Sequence, residues 1–63
     1  MSATHEILVI DDDALVNEFF EEVLKRLGHS VTTVASGEQG LQLLREREFD
    51  IVLSDVKMPR MSG

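Results

Sequence analysis

A chain of 63 residues with 12 acidic and 6 basic side chains, a net charge of -6 and no cysteine describes one domain at most. The composition excludes disulfides and thiolate metal sites, and it argues against a nucleic-acid surface, which needs clustered Lys and Arg. So short a chain buries only about 60% of the surface its unfolded form exposes, so a metal or a partner subunit is expected to help hold it together.

Glu6 to Ile10 is an apolar run of Ile, Leu and Val bounded by acids, the pattern of a strand buried on both faces. The run Ile7-Leu8-Val9-Ile10 is too short for a signal-peptide core or a membrane span, and a cytoplasmic setting is the expectation. A helix follows, with Val16, Phe19, Phe20, Val23, Leu24 and Leu27 as its apolar stripe. Asn17, Glu18, Glu21, Glu22, Lys25 and Arg26 fill the other side. Lys25 and Arg26 suit the negative end of the helix dipole, and Gly28 supplies the left-handed stop.

Val31 to Ala35 reads as a second strand. Ser36 and Gln39 form a capping box that opens a second helix, whose apolar side is expected at Leu41 and Leu44 with Leu43 at the margin. Gly40 inside it costs helix stability unless it permits close approach to a neighbour. Ile51 to Ser54 is a third strand that ends at Asp55, and Val56 to Gly63 is a loop punctuated by Pro59 and Gly63. Phe19 and Phe20 are expected in the core, Met58 and Met61 as loop and core filler. His5 and His29 show no partner pattern and are expected to be exposed and idle. The order β-α-β-α-β implies an α/β fold with parallel strands and right-handed crossovers.

Ligands of open parallel sheets bind outside the carboxyl ends of the strands. Asp11 and Asp12 leave the first strand there, and Asp55 leaves the third. With those strands adjacent, three carboxylates converge. Two unit charges about 4 Å apart repel by about 4 kcal/mol at an effective dielectric of 20, so the cluster requires a proton or a cation. Oxygen-only donors favour Mg²⁺, which keeps its waters and accepts a phosphate. A carboxylate there can act as a nucleophile toward phosphorus. The competing structural role for Asp12 or Asp13 is to cap the first helix.

The segments Ile7-Leu8-Val9-Ile10-Asp11-Asp12-Asp13, Ala35-Ser36-Gly37-Glu38-Gln39-Gly40-Leu41 and Phe49 through Gly63, with its Asp55-x-x-Met58-Pro59-x-x-x-Gly63 pattern, resemble the receiver domain of bacterial response regulators. The resemblance covers essentially the whole chain. It implies the β-α-β-α-β half of a flavodoxin-like doubly wound parallel sheet, strand order 2-1-3, so residues 1–63 are read as a partial receiver with the first three strands and first two helices. It implies Asp55 as phosphoacceptor, taking its phosphoryl group from a sensor histidine kinase or phosphotransfer protein. It implies Mg²⁺ held by Asp11, Asp12, Asp55 and the backbone carbonyl of Lys57, with Met58 and Pro59 shaping the loop. Asp13 matches a position that is often acidic in the family without being a ligand.

The family's Ser or Thr after the fourth strand and Lys after the fifth have no counterpart here, so phosphotransfer is expected to be impaired. The alternative is a half-receiver whose main property is self-association as a homodimer, because a bare third strand presents an unpaired edge. Neither reading makes the chain a turnover enzyme. Asp11-x-Asp13 also resembles the nucleophile motif of haloacid-dehalogenase-like phosphatases, but Leu15 stands where that family places Thr or Val, and its distant Lys and further acids are missing.

Overall fold

The computed structural model describes residues 4–54. Strand β1 (Glu6–Ile10) leads to helix α1 (Ala14–Arg26), strand β2 (Ser30–Val34), helix α2 (Gly37–Glu46) and strand β3 (Ile51–Ser54). The sheet order is β2-β1-β3 with both pairings parallel, as the expected 2-1-3 half-fold requires. β1 and β3 have the expected bounds, and β2 starts and stops one residue earlier than its Val and Thr content suggests.

β1 is central, and Ile7, Leu8 and Val9 are the buried apolar residues of the described chain. Side chains alternate along a strand, so β1 must be covered on both faces. A Cβ built on Gly40 of α2 would lie 2.5 Å from Ile10 Cδ1, 3.0 Å from Ile10 Cγ1 and 3.8 Å from Leu8 Cδ2. Leu8 and Ile10 therefore face α2. Val9 shares the opposite face with Leu53, where Phe20 of α1 meets them around a pocket.

Gly40 thus sits inside a helix because a side chain would keep α2 off the sheet. This corrects the expected face of α2: buried Gly40 and half-buried Leu43 face inward, while Leu41 is 59% exposed and Leu44 is also exposed. In α1, Val16, Phe20 and Leu24 are half-buried as the stripe requires. Phe19, at 61%, and Val23 and Leu27 are exposed, against the core position expected for Phe19. Among the described residues both helices lie mainly over β1 and β2, with Phe20 of α1 reaching Leu53 of β3 across the pocket.

Local chemistry sets the helix ends. Asp13 caps α1 by accepting the Leu15 N–H at 3.0 Å. At the other end Gly28, with φ +96°, forms a Schellman turn: Gly28 N–H donates to the Lys25 carbonyl and His29 N–H to the Leu24 carbonyl. Ser36 caps α2 by accepting the Gln39 N–H, and the Gln39 side chain reaches back to the Ala35 N–H, one residue beyond the cap. Lys25–Glu21 and Arg26–Glu22 pair along exposed α1.

The histidines are not idle. His29 Nδ1 accepts the His5 N–H at 3.2 Å, the two rings lie 5.2 Å apart, and Asp50 Oδ2 accepts the Glu6 N–H at 2.8 Å. They close the amino-terminal end of the sheet, opposite the acidic cluster, in a contact spanning 24 residues that no local pattern announces.

Gly40→Ala sets a helix gain of about 1 kcal/mol against an overpacking cost of about 1–3 kcal/mol. We expect net destabilisation in urea unfolding. Adding Ile10→Val, which removes Cδ1, should reverse the sign relative to Ile10→Val alone. Additive effects in this double-mutant cycle would contradict the contact.

Candidate functional site at the carboxyl ends of the strands

In register, Ile10 pairs with Val34 of β2 and with Ser54 of β3. The three strands therefore finish level, and the β1–α1 loop carrying Asp11, Asp12 and Asp13 leaves from the middle of that edge. A pocket of about 220 Å³ opens there, lined by Val9, Ile10, Asp11, Phe20, Leu53 and Ser54. A groove of about 500 Å³ elsewhere is lined by residues of α2 alone, and one helix cannot make side chains converge.

The three acids take different roles. Asp11 is half-buried: its N–H donates to the Val34 carbonyl at 3.1 Å, and its Oδ1 accepts the Asp13 N–H at 2.9 Å. Asp13 spends its carboxylate on the α1 cap, as the capping alternative required. Asp12 is exposed. Among the described residues no Lys or Arg pairs with any of the three, and they do not by themselves make up a metal-binding group of three or more ligands.

Asp11 and Asp12 suit a hard cation, being oxygen donors without a cationic partner among the described residues, beside an open pocket. Asp55, Lys57, Met58, Pro59 and Met61 lie outside the described residues. Ser54, the last described residue, is the one that Asp55 follows in the sequence.

Asn17, expected among the solvent-facing polar residues of α1, lies instead against the sheet edge. It is half-buried, its Nδ2 donates to the Asp11 carbonyl at 2.8 Å and to the Val34 carbonyl at 3.2 Å, and its Oδ1 is buried without a partner among the described residues. An orphaned buried acceptor costs about 1–3 kcal/mol. The available signal was position: residues 17, 20 and 24 share one face at helical spacing, so Asn17 is a polar residue on the inward row of Phe20 and Leu24.

Comparison with known proteins agrees with this architecture. The family described as "Response regulator receiver domain" matches residues 7–63. The chain is 46% identical over 57 residues to the transcriptional regulatory protein AfsQ1 of Streptomyces coelicolor, covering 90% of this chain and 25% of that protein. It is 46% identical over 59 residues to the two-component response regulator ARR11 of Arabidopsis thaliana, covering 90% of this chain and 11% of that one. The structure of the chemotaxis response regulator CheY4 of Vibrio cholerae superposes with a TM-score of 0.85 at 31% identity, over 97% of this chain and 51% of the other. The chain thus spans a quarter or less of these two relatives and about half of CheY4.

Asp13→Ala should lower stability by about 0.5–2 kcal/mol in urea unfolding, the loss of one helix cap. An unchanged midpoint would contradict the capping role. The level strand ends, the acidic loop and these matches together show that the chain belongs to the response regulator receiver domain family.

Proposed function

We propose that this chain is a phosphoacceptor module that takes a phosphoryl group onto Asp55, with Mg²⁺ held by Asp11, Asp12, Asp55 and the Lys57 backbone carbonyl. The observation that carries the reading is the β2-β1-β3 order with Ile10 level with Ser54. It sets the Asp11–Asp12 loop beside the strand whose next residue in sequence is Asp55. An Asp55 carboxylate oxygen attacks phosphorus and forms the O–P bond. The bond from phosphorus to the donor breaks, and its electron pair leaves with the donor atom, an imidazole nitrogen of a sensor histidine kinase or phosphotransfer protein, which then takes up a proton. The cation, when bound, neutralises charge on the phosphoryl oxygens. Asp11, fixed at both backbone atoms, and exposed Asp12 provide oxygen donors, while Asp13 holds the start of α1. Met58 and Pro59 shape the adjoining loop.

The net charge of -6 supports a protein or small phosphodonor rather than nucleic acid as the partner. No helix among the described residues is long and apolar enough to cross a membrane, and a kinase partner of this type supports a cytoplasmic setting.

With Mg²⁺ and acetyl phosphate, mass spectrometry of the intact chain should show one added phosphoryl group, absent in Asp55→Asn with the fold retained. Addition that persists in Asp55→Asn moves the acceptor elsewhere and overturns the assignment.

A second reading, self-association as a homodimer, is favoured by apolar side chains left exposed on β3 and on both helices. Ile51 and Val52 are exposed, with Leu15 (74%) and Phe19 on one helix and Leu41 and Leu44 on the other. Such surface marks an interface. Light scattering across a wide concentration range should give twice the chain mass; a folded monomer at every concentration contradicts this reading.

A further inference from the structure

We propose that Asn17 is a positioning residue for the cation site, an inference that rests on the Mg²⁺-dependent reading above. One carboxamide nitrogen bridges two carbonyl oxygens, those of Asp11 and Val34, at 2.8 and 3.2 Å. The reverse orientation would set Oδ1 against two acceptors, so the chemistry fixes which atom faces them. The Val34 carbonyl also accepts the Asp11 N–H at 3.1 Å. Asp11 is therefore held on both sides, through its N–H to β2 and through its carbonyl to α1.

The Asp11 carbonyl belongs to the peptide that joins Asp11 to Asp12. Holding that peptide fixes its orientation relative to the sheet edge, and with it where the two Cα atoms that carry the proposed ligands sit. The Asp11 side chain is in turn held by the Asp13 N–H at 2.9 Å. Asn17 is thus the link by which α1, β1 and β2 jointly set the ligand loop, and it does so without offering a ligand itself. A partner that orients a ligand residue in this way typically changes metal affinity by about 10–100-fold when removed. Its buried Oδ1 has no hydrogen-bond partner among the described residues, so the polar contacts that Asn17 makes there are those of its Nδ2 with the Asp11 and Val34 carbonyls.

The test compares the wild-type chain with Asn17→Leu, which removes both donors at similar volume, and Asn17→Gln, which keeps a carboxamide. Mg²⁺ affinity is read by calorimetric titration, and amide hydrogen exchange is read on the metal-free chains. The expected result for Asn17→Leu is an unchanged circular dichroism spectrum, faster exchange confined to the Asp11–Asp13 loop, and Mg²⁺ affinity weaker by about 10-fold or more. Asn17→Gln recovers most of that loss. Should Asn17→Leu fail to fold, Asn17→Ser, whose single short donor cannot reach both carbonyls, is expected to show the same direction of change. Variants that lose stability but bind Mg²⁺ as tightly as wild type overturn the inference and leave the parent reading standing. A wild-type chain that binds no Mg²⁺ overturns the parent reading and the inference together.

Discussion

Ile7, Leu8 and Val9 are sealed by two neighbouring strands and by a helix on each face, and the rest of the molecule is arranged around that burial. Burying an aliphatic side chain contributes about 1.5–3 kcal/mol, and in so short a chain three such residues carry much of the folding drive. Because both faces of β1 are apolar, one helix cannot suffice. Because the second helix must come close, its inward row must contain a residue with no side chain, which is Gly40. The same constraint fixes the site: the chain leaves the sheet where the apolar run stops, and the first residue after it is Asp11.

The acidic loop gathers negative charge with no cationic partner among the described residues, and the fold offsets this with backbone dipoles. The Asp13 N–H points at Asp11, and the Leu15 N–H points at Asp13. Charge-assisted bonds of this kind are among the stronger ones in proteins. They leave Asp11 partly engaged and exposed Asp12 without a side-chain partner among the described residues, an asymmetry suited to one well-placed donor beside one that can adjust. Asn17 then couples the loop to α1, so the geometry of the acids depends on helix packing as well as on the sheet edge.

Much of this was legible in the sequence because it is encoded locally. The bounded apolar runs marked β1 and β3, Gly28 marked the end of α1, Ser36 with Gln39 marked the start of α2, and strands alternating with helical patterns announced a parallel sheet. The family resemblance was carried by the acidic run after the first strand and by the motif around Asp55. The rest depends on what packs against what. Counting apolar residues favours Leu41 and Leu44 and scores Gly40 as a breaker, whereas close packing needs the missing side chain. The α1 stripe is wider than the sheet beneath it, so Phe19 and Leu27 are exposed. The His5–His29 pair and the reach of Asn17 to Val34 join residues far apart in sequence, and periodicity does not register such contacts. The roles of Asp55, Lys57, Met58 and Pro59 fall outside the described residues and rest on the resemblance.

The central claim is that the level carboxyl ends of β1 and β3 form a cation-dependent site. It is tested most directly by titrating Mg²⁺ into the isotopically labelled chain and following every backbone amide by NMR. The account predicts saturable shifts concentrated at Asp11, Asp12, Asp13, Ser54 and Asp55, with the outer face of α2 at Glu38 and Glu46 unmoved. Shifts spread without saturation over the acidic side chains at large, Glu18, Glu22, Glu38 and Glu46 included, would contradict it.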